Sequence, residues 1–159
     1  MPFTPFHFGP GYLVKSFFVK RFHFLAFVVS QVLIDCETAY NIFAVNARLH
    51  SFLHTYLGSL VVIPLSFVVV WGLYQFSFFK QYLIEEFNVK VILVSLLVGA
   101  WSHVLLDSIM HSDVRPFWPV DSKNIFDELI GVGALHILCF VCGAVGMFWS
   151  NRAEFKKPK

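Results

Sequence analysis

Two stretches of this 159-residue chain carry side chains able to do chemistry: His50-Ser-Phe-Leu-His54 and His103-Val-Leu-Leu-Asp107-Ser-Ile-Met-His111. In each, metal-type ligands recur every four residues, a spacing that puts them on one face if the segment is helical. Imidazole with carboxylate is a donor set for zinc, and it also suits manganese or iron. A catalytic ion keeps one coordination position for water, whose pKa it draws down toward ~7. Both stretches lie at the margins of long apolar runs, where ionisable residues are expensive to keep and mark function.

The elements that must position these residues are membrane helices. The chain is 57% hydrophobic, 18% aromatic and 14% charged, with mean hydropathy +0.69, whereas soluble domains carry about 25% charged residues. Twenty Phe exceed what one soluble core of this size needs. The reading is an all-α, polytopic transmembrane bundle forming one domain over residues 1–159. No basic patch interleaved with aromatics argues for nucleic acid. The first ten residues hold no Lys or Arg and do not read as a secretory signal. Cys139 and Cys142 form a CxxC inside an apolar run and read as two small apolar side chains; Cys36 stands apart.

Three segments are long enough for a crossing, which takes about 20 helical residues: Tyr56–Phe79, Val91–Leu106 completed by residues 107–110, and Leu129–Trp149. Pro64 falls inside the first, where a kink is tolerated. Phe8–Val19 and Phe22–Ile34 flank Lys20-Arg21 and are each too short to span. They form either a short helical hairpin, which returns His7 to the side of Asp35, or one helix over Tyr12–Ile34, which separates them by about 30 Å or more. Under the hairpin, Lys15, Lys20, Arg21, Lys80, Lys90, Arg152, Lys156, Lys157 and Lys159 share one face and Arg48, Arg115 and Lys123 the other. That bias puts the C-terminus in the cytoplasm and the ligand-bearing face in the periplasm.

With this topology Asp35 and Glu37 end the second short helix, His50 and His54 open the first span, His103, Asp107 and His111 close the next, and Asp127 and Glu128 open the last. All belong to one face. The ligands outnumber the three or four that one zinc needs, which leaves one ion with orienting partners, or two ions. His23 and His136 read as isolated hydrogen-bonding or snorkelling residues. Glu37, Asp113 and Glu128 read as secondary candidates or as helix-end and loop carboxylates. Arg115, in Ser-Asp-Val-Arg-Pro-Phe-Trp-Pro, is either a bidentate phosphate clamp or a headgroup or carboxylate partner.

The stretch WSHVLLDSIMHSDVRPFWPVDS resembles the YdjM-like family of bacterial inner-membrane metal-dependent hydrolases. MPFTPFHFGPG, SQVLIDCE and RLHSFLHTYLGS resemble that family's other motifs, in the same order. The resemblance implies His7, Asp35, His54, His103 and Asp107 as metal-site residues, with His50 and His111 matching a version richer in His. It also favours the hairpin. The acidic motif reads Ile34-Asp35-Cys36-Glu37 without the usual Pro-Asp, and Asp113 stands where Gly is common.

These readings lead to a metal-dependent hydrolase of the bacterial inner membrane. It would act on a phosphoester or phosphodiester of a membrane lipid or lipid-linked substrate through a metal-activated water, with zinc foremost. Asp35 or Asp107 would serve as ligand or base, and Arg115 would hold the phosphate. The competing expectations are a divalent-metal carrier or sensor, which needs polar residues along the whole bundle, and a structural protein whose polar groups only join helices. The sequence places polar residues at one end and an apolar half opposite, which argues against a carrier.

Overall fold

The computed structural model describes residues 4–44, 49–76 and 85–155. Among them every regular element is helical. A 3-10 turn, Thr4–His7, leads into α1 (Phe8–Phe17); then come α2 (Phe24–Phe43), α3 (Tyr56–Gln75), α4 (Val89–Met110) and α5 (Val132–Phe155). Among the described residues α3, α4 and α5 are long and apolar enough to cross a membrane. Their outward faces carry Leu57, Val61, Leu65 and Trp71 on α3 and Ile137, Phe140 and Phe148 on α5, all exposed. Water would penalise so much contiguous apolar surface; lipid does not.

The N-terminal segment is a hairpin, and the single Tyr12–Ile34 helix is not formed. The chain leaves α1 at Phe18 and re-enters helix at Phe24. Lys15 Nζ holds this turn by donating to the carbonyls of Val19 at 2.8 Å and Phe22 at 2.9 Å, and it pairs with Glu85. Glu85 in turn accepts from the backbone N–H groups of Phe24 at 2.9 Å and Leu25 at 3.0 Å. These are orphan donors at the start of α2, where the helix dipole also favours a negative charge.

The second arm is longer than its apolar run. It extends to Phe43 rather than stopping at Ile34, so Asp35 and Glu37 sit in mid-helix rather than at its end. Both carboxylates find partners inside the bundle, so nothing forces the helix to stop where charge appears. The first and last spans also shift. α3 ends at Gln75, with Ser77–Phe79 outside the described residues, and α5 starts at Val132, so Asp127 and Glu128 lie in the preceding loop, exposed.

α2, α3 and α4 pack on one another, while α1 lies along α5. Phe6 meets His136 near one end of α1 and Phe17 meets Trp149 at the other, so α1 and α5 run parallel. Gly9 permits this approach: a Cβ there would stand 1.9 Å from the Cys139 carbonyl oxygen. Cys139 is buried by this contact and both CxxC thiols are free.

Polar and apolar layers alternate down the three-helix core. Tyr74, His23 and Ser95 lie at the hairpin tip, where the His23 ring bonds the Tyr74 hydroxyl at 2.8 Å and Ser95 Oγ accepts from the His23 N–H at 2.8 Å. Ala26, Val70, Ile92 and Leu96 form the first apolar layer. Ser30, Gln31 and Ser66 follow, fully buried. Ile34, Val62 and Ala100 form the second apolar layer, beyond which the candidate ligands begin. The half expected to be apolar therefore holds its own buried polar cluster around His23. The basic residues Lys15, Lys20, Arg21 and Lys90 fall toward that end, and Arg115 and Lys123 toward the ligand end; Arg48, Lys80, Lys156, Lys157 and Lys159 lie outside the described residues.

α2 and α4 approach closely at Gly99, where a Cβ would stand 2.3 Å from Ser30 Oγ and 2.6 Å from the Phe27 carbonyl oxygen. Gly99→Ala is therefore expected to destabilise the bundle by about 1–3 kcal/mol through overpacking. Gly72→Ala, whose Cβ meets nothing within 4 Å, should be neutral or stabilising by up to about 1 kcal/mol. Intrinsic-fluorescence melting in detergent reads both, and equal melting of wild type and Gly99→Ala would disprove the close contact.

Candidate metal centre

His103 and Asp107 face the core from the last third of α4, one helical turn apart, and both are fully buried. His103 Nε2 lies 3.2 Å from Asp107 Oδ2 and 3.3 Å from Asp35 Oδ1, which arrives from α2. His54 adds its Nε2 at 3.4 Å from Asp107 Oδ2 and 3.9 Å from Asp35 Oδ1. Four donor atoms from three separate stretches of chain thus converge.

His50 and His54 reach the cluster without sharing a helix. They sit in the loop that precedes α3, and the helix begins only after Thr55, whose Oγ1 accepts from Gly58 N–H at 2.8 Å. The loop is shaped by Glu37, which accepts from the N–H groups of Ser51 at 3.2 Å and Leu53 at 3.0 Å. Glu37 Oε2 also lies 3.1 Å from His54 Nδ1. With the proton on Nδ1, that bond turns the Nε2 lone pair toward Asp107, the arrangement by which carboxylates orient metal-ligating imidazoles.

His50 repeats the arrangement. Its Nδ1 lies 2.9 Å from Asp113 Oδ1, and its backbone N–H donates to Asp113 Oδ2 at 3.2 Å. Burial raises the Asp113 pKa, but these bonds from His50 outweigh it and hold the carboxyl below its ordinary value of 3.8. His50 Nε2 is then left 4.0 Å from Asp107 Oδ2. His111 caps the end of α4 and stacks on His50, ring centroids 4.5 Å apart. His7, carried back by the hairpin, brings its Nε2 to 3.5 Å from Asp107 Oδ1.

All seven ligands proposed from sequence (His7, Asp35, His50, His54, His103, Asp107 and His111) therefore gather around Asp107. Arg115 lies beside them, half-buried, lining with His50, Thr55 and Trp118 a cleft of about 190 Å³. Among the described residues it has no ion-pair partner. The structure does not bring His136 or Glu128 to the cluster. Glu37 and Asp113 turn out to be orienting partners, a role that no spacing in the sequence discloses. Asn124 is a further contributor missed from sequence: its amide donates to the carbonyls of Ser108 at 2.7 Å and His111 at 3.0 Å, closing the end of α4.

The donor set fits a small divalent cation. Nitrogen and oxygen donors about 2.0–2.2 Å from one tetrahedral ion lie roughly 3.3–3.6 Å from each other. The four nitrogen–oxygen separations from His54 and His103 to Asp35 and Asp107 run from 3.2 to 3.9 Å, and all four donor atoms lie within 4.8 Å of one another. His103 Nε2 and both Asp107 oxygens are also buried without a hydrogen bond of acceptable geometry, costly for polar atoms unless another partner serves them. No family model, curated protein or solved structure matches this chain.

Glu37→Gln removes the carboxylate that orients His54 and keeps a side chain of nearly the same shape. It is expected to weaken divalent-metal affinity about 10–100-fold, as measured by competition with a chromogenic chelator. Unchanged affinity would show that Glu37 serves only the loop.

Proposed function

We propose that this protein is a metal-dependent hydrolase of the bacterial inner membrane, acting on a phosphoester or phosphodiester of a membrane lipid or lipid-linked substrate. The observation that carries the reading is the convergence of Asp35, His54, His103 and Asp107 on one buried point beside a cleft lined by Arg115. The likeness of the motifs to the YdjM-like family supports it, as does the ratio of basic residues at the two ends of the bundle, which favours a cytoplasmic C-terminus and a periplasmic site. Zinc is the first choice for a site of imidazole and carboxylate, with manganese or iron as substitutes.

When bound, the cation supplies an activated water and polarises a phosphoryl oxygen. The protein's own groups divide the remaining work. Asp107, His54 and His103 are fully buried and would hold the ion. The Asp35 side chain keeps 17% of its surface accessible, so it can pass a proton to solvent as well as bind. Arg115 stands in the cleft with a planar fork of donors that matches two phosphate oxygens. Phe117 and Trp118, both exposed, are suited to the headgroup level, where aromatic rings settle. A lipid phosphate at that level lies within reach of the cleft.

A carrier requires a polar route between the two ends. The layers around Val70 and Val62 interrupt one, despite the polar cluster at the hairpin tip.

Metal analysis of detergent-purified protein, joined to hydrolysis of a p-nitrophenyl phosphodiester and of phospholipid in mixed micelles, tests the proposal. Stoichiometric metal that disappears in His103→Ala/Asp107→Ala, together with loss of turnover, is the expected result. Arg115→Lys should keep the metal and lower kcat/KM roughly 10–150-fold, the equivalent of about 1.5–3 kcal/mol for charge-assisted hydrogen bonds. Full activity in the double variant would refute the proposal.

A further inference from the structure

Beyond the first four ligands, three imidazoles near Asp107 carry ring nitrogens without a hydrogen bond. Both ring nitrogens of His7 are buried without a hydrogen bond, as are His50 Nε2, His111 Nε2 and Asp107 Oδ1. If these histidines merely joined helices, such nitrogens would carry interhelical hydrogen bonds; they carry none. The histidines come from the N-terminal turn, the loop before α3 and the end of α4, so no common periodicity accounts for their meeting.

We infer that the protein holds a second divalent cation beside the first, bound by His50, His111 and Asp113, whose donor atoms lie within 4.8 Å of one another. The inference rests on reading Asp35, His54, His103 and Asp107 as the first centre. His50 Nε2 also lies 4.0 Å from Asp107 Oδ2, the oxygen that His54 and His103 approach, so the second set adjoins the first. Asp113 Oδ1 stands 2.9 Å from His50 Nδ1 and its Oδ2 accepts from the His50 backbone N–H, so the carboxylate both holds His50 in place and offers an oxygen to the ion.

Charge points the same way. Asp35, Asp107, Glu37 and Asp113 all contact the imidazole cluster, so cations bound there would be met by four carboxylates. The nitrogen-rich donor set selects zinc, iron or cobalt over magnesium or calcium. The cleft beneath Arg115 opens on His50, so a phosphate held by Arg115 would meet the second ion first. Paired ions roughly 3.5–4 Å apart suit phosphoester hydrolysis, because they serve attacking and leaving oxygens together.

The full-length protein in detergent, loaded with zinc for elemental analysis and with manganese(II) for electron paramagnetic resonance, tests the inference. Wild type is expected to hold about two equivalents and to show the spin-coupled manganese signal of a close pair. His111→Ala and His50→Asn are expected to retain about one equivalent and to show an isolated manganese(II) spectrum. About one equivalent in wild type with an uncoupled spectrum overturns the second ion and leaves the first centre standing. No stoichiometric metal in wild type overturns both. The wild-type measurement alone separates these outcomes, so the inference is decided even if a variant fails to fold; His111→Asn, closer in shape, repeats the comparison if His111→Ala does not.

Discussion

A carboxylate buried among imidazoles governs this structure. Asp107 is fully enclosed, and an ionised carboxylate removed from water costs several kcal/mol unless positive charge or strong donors meet it. The surroundings of Asp107 answer that constraint from every side: His103 from its own helix, His54 and His50 from the loop before α3, His7 from the N-terminal turn. The N-terminal turn, the loop before α3 and α4 itself are thus brought to one carboxyl group.

The hairpin follows from the same constraint. One long N-terminal helix would leave His7 about 30 Å or more from the ligand end. By reversing at residues 18–23, the chain returns His7 to Asp107 and starts α2 on a path that presents Asp35 and Thr38 to His54 and His103. The reversal has no glycine or proline to impose it. It is held instead by Lys15 and Glu85, which serve carbonyls on one side and α2 amides on the other. The small polar cluster at the tip thus contributes to the geometry of the ligand cluster at the far end.

The loop carrying His50 and His54 shows a second level of control. Loops hold ligands loosely unless something fixes their rotamers, and productive sites depend on such support. Glu37 and Asp113 supply it by binding backbone amides and the outward ring nitrogen together. Each carboxylate therefore sets both where its histidine stands and which nitrogen faces inward.

Much was legible without the fold. Apolar runs located α3, α4 and α5, because a membrane helix must satisfy its backbone internally and clothe it in apolar side chains. The four-residue step from His103 to Asp107 placed those two on one face, since both lie within a helix. The same step misled for His50 and His54, which meet in a loop: spacing carries information only where the backbone is regular. The end of α2 was also misplaced, because a charge ends an apolar run yet need not end a helix when partners await it inside the bundle. What only the tertiary structure decided is pairing: Glu37 with His54, Asp113 with His50, His7 with Asp107, Lys15 with Glu85. Composition and local periodicity are properties of neighbouring residues, and they fixed the elements. Pairings between segments 17 to 100 residues apart depend on how those elements cross, which depends in turn on close approaches such as Gly99 against Ser30.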